Sequence, residues 1–93
     1  MEDIVELGGN IRLNGFSSID GASMIILKKI IGNFAKQVSE KLPNFEKLSI
    51  TIEPEGKFSA EVINEGNSIT ANVEDPNLFI ALDKVLKEID SKI

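Results

Sequence analysis

The sequence predicts an α+β fold, a two-layer sandwich of order β-α-β-β-β-α in which a four-stranded sheet carries two helices on one face. Three observations predict it. Between Ser18 and Lys41 apolar residues return every three or four positions, the period of one helical face. From Leu48 to Val73 three segments alternate apolar and polar residues, with turn residues between them. After Asp75-Pro76 a second three-to-four-residue stripe runs to Ile93.

The first element is a strand over Ile4 to Asn14, with Val5, Leu7, Ile11 and Leu13 on one phase. Its adjacent glycines, Gly8 and Gly9, suggest a bulge or bend inside that strand. Asn14 to Ser18 reads as a loop, and Ser18 or Asp20 can cap the helix that follows. Met24, Leu27, Ile31, Phe34, Ala35, Val38 and Leu42 form the apolar face of that helix. Lys29, Gly32, Asn33, Lys36 and Glu40 lie opposite, with Lys28 at the flank, and Pro43-Asn44 ends the helix.

Leu48, Ile50 and Ile52 alternate with polar residues in a strand buried on one side. Pro54-Glu55-Gly56 turns the chain into a strand with Phe58, Ala60 and Val62 inward. Asn64 to Asn67 turns it again into a strand with Ile69, Ala71 and Val73 inward, which completes an antiparallel meander. Asp75 as N-cap and Pro76 at the first helical position start the last helix. Its expected buried stripe is Leu78, Phe79, Leu82, Val85, Leu86, Ile89 and Ile93.

One apolar sheet face and two helical stripes are buried together by laying both helices on that face. The other sheet face stays open, lined by Lys47, Ser49, Thr51, Glu53, Ser59, Glu61, Thr70, Asn72 and Glu74, a small-polar and acidic surface. Nothing aromatic stands on it, which argues against base stacking of the kind used by RNA-recognition sheets.

Ninety-three residues support one domain, 1–93, with a modest core and no separate catalytic lobe. Without cysteine there is no disulfide or thiol chemistry, and without histidine the commonest neutral-pH base and nitrogen metal ligand are missing. The acidic opening Met1-Glu2-Asp3 does not read as a signal peptide, and no apolar run approaches a membrane span. A soluble, cytoplasmic protein is the expectation. The pairs Glu53/Glu55 and Glu74/Asp75 flank a turn and a helix start, where acids cap or solvate. Gly8-Gly9 lacks the Lys and Ser/Thr of a phosphate loop, and no calcium-type ligand loop is present. The expectation is therefore a non-enzyme with no cofactor, metal or small-molecule substrate.

Gly8-Gly9-Asn10-Ile11-Arg12-Leu13-Asn14 resembles the first-strand motif of the ribosome hibernation-promoting factors, also called ribosome-associated translation inhibitors. In that family Gly, any residue, Asn, an aliphatic, Glu, an aliphatic and Thr precede the first helix. Phe79-Ile80-Ala81-Leu82-Asp83 is similar to the family's opening to its last helix, and the β-α-β-β-β-α order is shared. The resemblance spans nearly the whole chain. It implies binding to the small ribosomal subunit near the decoding region and damping of translation under stress. The chain departs from the pattern at Gly9, at Arg12, in the longer connection from Ser17 to Gly21, and at Glu88 and Ser91, where basic residues are usual. The double-stranded RNA-binding domain has a similar plan, but Asp75-Pro76-Asn77 replaces its basic run.

The candidate RNA-binding residues are Lys28, Lys29 and Lys36 on the first helix with Lys84 and Lys87 on the second, all turned away from the sheet. Such segregation lets a chain of net charge −5 keep a local positive field, and each neutralised phosphate adds a salt-dependent increment. A solvated helix surface explains the same lysines. Lys36 with Glu40, Asp83 with Lys87 and Lys84 with Glu88 are i,i+4 pairs, worth about 0.2–0.5 kcal/mol each. Ile80 falls beside Lys84 and Lys87 rather than on the buried stripe, and could touch a partner or a second copy or simply sit in solvent. Two function classes remain. One is a module binding the small ribosomal subunit or structured RNA. The other is a protein-interaction or homodimerising module using the open sheet face or an edge strand, with Ile80, Thr51 and Glu61 as interface residues.

Overall fold

The computed structural model describes residues 4–7, 10–17, 19–53 and 56–93. The elements are β1 (Ile4–Leu7), β2 (Ile11–Asn14), α1 (Gly21–Lys41), β3 (Phe45–Glu53), β4 (Lys57–Asn64), β5 (Asn67–Glu74) and α2 (Leu78–Ser91). β2 through β5 with the two helices form the expected β-α-β-β-β-α plan. The sheet is mixed: β2 runs parallel to β3 across the α1 crossover, and β3, β4 and β5 form the antiparallel meander.

The stretch expected as one strand from Ile4 to Asn14 is instead two. β1 pairs antiparallel with β2, Val5 opposite Leu13 and Leu7 opposite Ile11, and extends the sheet by an edge strand. Alternation alone does not separate a bent strand from a tight hairpin, because both keep the apolar residues in phase. The expected Gly8-Gly9 bulge lies outside the described residues, as do Ser18 and the Pro54-Glu55 half of the turn before β4.

The core lies on one sheet face. Ile11 and Leu13 of β2, Leu48 and Ile50 of β3, Phe58, Ala60 and Val62 of β4 and Ala71 of β5 are buried, alternating with more exposed neighbours. Against them pack Leu27, Ile31, Phe34, Ala35 and Val38 of α1 and Ala81, Leu82, Val85, Leu86 and Ile89 of α2. Each fully buried Leu, Ile, Val or Phe removes enough apolar surface from water to contribute about 1.5–3 kcal/mol. Phe16, in the connection expected to be a loop, is fully buried in this cluster. Gly15 beside it has φ +80, and a Cβ there would overlap the Ile52 carbonyl oxygen, so the turn passes against β3 through glycine alone.

A two-residue turn and side-chain caps close several of the elements. Glu65 and Gly66 both have positive φ, 53 and 79, which suits the type I′ hairpin joining β4 to β5. Asp20 caps α1, its Oδ2 accepting from the Ser23 N–H at 3.0 Å, and α1 stops at Lys41 before Pro43. The cap of α2 is Asn77, not Asp75. Asn77 Oδ1 accepts from the N–H groups of Phe79 at 3.0 Å and Ile80 at 3.1 Å. Asp75 Oδ1 instead accepts from the Asn77 N–H at 2.8 Å, an Asx-type turn leading into the cap. Among the described residues no helix is long and apolar enough to cross a membrane.

Candidate functional site

The expected lysines all lie on the helical layer, but they do not form one cluster. At 3.6 residues per turn Lys29 and Lys36 share a stripe along the outer side of α1, while Lys28 lies on its other flank. On α2, Lys87 stands on the side facing α1 and Lys84 on the side away from it. All five are exposed.

Their electrostatic states differ. Lys84 donates to Asp75 Oδ2 at 2.9 Å, and Lys87 pairs with Asp83 at 3.0 Å. Lys28, Lys29 and Lys36 form no ion pair among the described residues. Of the three expected i,i+4 pairs only Asp83–Lys87 forms. Lys84 turns back to Asp75 rather than to Glu88, because the Asx turn brings that carboxylate to the start of the helix. Lys36–Glu40 is not made among the described residues, so the positive field of the layer is concentrated on α1. Asp75 is held below the usual carboxylate range by the Asn77 N–H first and by the Lys84 ammonium second. Asp20 is held low by the Ser23 N–H.

The helical layer also carries apolar residues in solvent. Ile25 is 71% exposed, Ile26 50%, Ile30 37%, Phe79 39% and Ile80 47%. Ile80 is thus outside the core, as its place on the wheel indicates. Phe79, expected in the buried stripe, is displaced from it by Ala81, because the stripe of α2 runs through 81/82, 85/86 and 89. Ile25, Ile26 and Ile30 were not picked out by the periodic pattern. The runs Met24 to Leu27 and Ile30-Ile31 contain the signal: that many consecutive apolar residues cannot share one helical face.

Between the helices runs a cleft of about 320 Å³. Ile30, Asn33, Phe34 and Gln37 form one wall and Asp83, Leu86, Lys87 and Asp90 the other. The helices run side by side in the same direction, since Lys41 at the end of α1 pairs with Asp90 near the end of α2 at 2.5 Å.

Thr51 and Glu61 lie on the opposite side of the molecule from Ile80, so these three expected interface residues are not brought together. In register, Arg12, Ser49, Glu61 and Thr70 form one cross-strand row, and Asn14, Thr51, Ser59 and Asn72 the next. Thr51 Oγ1 accepts from Asn14 Nδ2 at 3.2 Å. Among the described side chains of this face, Arg12, Lys47 and Lys57 stand with Glu53, Glu61 and Glu74, Lys57 lies in register between Glu53 and Glu74, and Glu6 of β1 is in register with Arg12. Its shallow depression, about 480 Å³, is lined mainly by hydroxyl, amide and charged groups, with Ile63 and two alanines among them. Among the described residues no three Asp or Glu side chains converge as a metal site.

No protein-family model matches this chain, and no curated protein matches it.

Proposed function

We propose that this protein is a non-catalytic RNA-binding module that associates with the small ribosomal subunit through the outer surface of α1. The reading is carried by one observation: Lys28, Lys29 and Lys36 are exposed and make no ion pair among the described residues. Unpaired surface ammonium groups gain most from phosphate, because binding releases counterions without breaking an existing pair. Lys84 and Lys87 already face carboxylates and contribute less. The first-strand and last-helix motifs that resemble the ribosome hibernation-promoting factors support the same reading. The open sheet face supports the protein-interaction alternative less well, since among the described residues none of the large exposed apolar side chains lies on it.

The test is co-sedimentation with ribosomes from the protein's own source across a salt series. Three phosphate contacts predict a log–log salt slope of about −2 to −3. Replacing Lys28, Lys29 and Lys36 by Glu is expected to abolish association, and replacing Lys84 and Lys87 by Gln to weaken it only slightly. Association that ignores salt, or that survives the triple replacement, would remove the proposal.

A further inference from the structure

Phosphate binding through α1 leaves one feature of the helical layer unused. RNA backbone calls for cations but has no use for Ile26, Ile30 and Phe79 held in water beside a cleft. On the α1 wall, Ile26 lies one turn before Ile30 on the flank that carries Asn33 and Gln37. On the α2 wall, Phe79 lies one turn before Asp83 on the flank that carries Leu86. The two parallel helices therefore offer a groove with Phe34 and Leu86 at its floor and an apolar extension toward the helix starts.

Charge selects what fits there. The acids of the α2 wall are already matched, Asp83 by Lys87 and Asp90 by Lys41. The unmatched charge on the stripe next to Asn33 is net positive, Lys29 and Lys36 against Glu40, and Glu40 lies at the end of α1 farthest from Ile26. We propose that this groove docks an acidic amphipathic α-helix of a protein partner. Its apolar stripe, at i, i+3, i+4 and i+7, fills the cleft over Ile26, Ile30 and Phe79, and its carboxylates meet Lys29 and Lys36. Asn33 and Gln37 supply polar groups at the rim. Because the same two lysines are among the three proposed to meet phosphate, such a partner and RNA exclude one another, which makes the groove a point of control over RNA binding.

The probe is a fluorescent peptide of about 16 residues, Leu at the stripe positions and Glu on the outer face, titrated with the full chain. Saturable binding is expected, with a scrambled peptide of the same composition inert. Ile26→Glu should weaken binding by about tenfold or more, because it puts a carboxylate in a desolvated contact. Ile25→Asn, on the outer side of α1 beyond the groove, should leave it unchanged. Ile26 is half exposed, so both variants are expected to fold, and far-UV circular dichroism checks this. Ile26→Asn, which adds no charge beside Lys29, should also weaken peptide binding and should leave ribosome co-sedimentation intact, so the groove and the RNA reading fail separately. Equal binding of the scrambled peptide, or no saturable binding, overturns the proposal. So does a concentration-dependent dimer that Ile26→Glu dissolves, since the groove would then hold a second copy of this chain.

Discussion

At Gly15 the chain turns from β2 toward α1 with φ +80, pressed so close to β3 that any Cβ would meet the Ile52 carbonyl oxygen. Gly15→Ala combines a disfavoured backbone conformation with that overlap, and is expected to cost about 1–3 kcal/mol in urea unfolding. An unchanged midpoint would show that the turn can relax. Charged residues offer a second handle. Asp20 and Asp75 have carboxyls lowered by backbone N–H groups, and Asp75 also by Lys84. A carboxylate whose pKa falls on folding stabilises the fold above its unfolded pKa, and that contribution is lost as pH drops through the lower folded value. Thermal stability should therefore decline below about pH 4. Asp75→Asn should flatten this acid limb while lowering stability at neutral pH; an identical limb in the variant would assign it to other carboxylates.

For the elements, the start of α2 separates two ways of reading the same residues. Asp75-Pro76 has the composition of a cap and a first helical position, yet Asn77 takes the cap because its side chain reaches two N–H groups. Both residues are good caps, and only the path of the chain out of β5 decides between them. Asn77→Ala is expected to cost about 1 kcal/mol. Thermal melts of Asn77→Ala and Asn77→Ser would check it, since Ser restores an acceptor and should recover most of the loss. β3, β4 and β5 were legible because each is buried on one side and alternates cleanly. The start of α1 was less so: with Met24, Ile25, Ile26 and Leu27 in a row, periodicity selects several faces equally, and the cleft beside α2 settles which isoleucines stay outside. Phe16 escaped for another reason, since a lone aromatic among Asn, Gly and Ser carries no period at all.

Across the whole molecule, the layer order and the separation of helical and open faces followed from pattern, whereas the choice of ion-pair partner did not, as Asp90 for Lys41 and Asp75 for Lys84. That distribution bears on the proposed association with RNA. A net charge of −5 repels a polyanion at long range, while Lys28, Lys29 and Lys36 attract it at contact. Neutralising acids on the side remote from α1 should then speed encounter without altering any contact. The replacements Glu53→Gln, Glu61→Gln and Glu74→Gln remove three negative charges from the open sheet face. They are expected to raise the association rate with ribosomal RNA by about two- to tenfold at low ionic strength. The gain should vanish near 1 M salt, where the screening length falls to about 3 Å. Dissociation rates should stay unchanged, because no contact at α1 has been touched. Stopped-flow measurement of both rates separates the cases: a fall in the dissociation rate instead would place the sheet face inside the RNA contact.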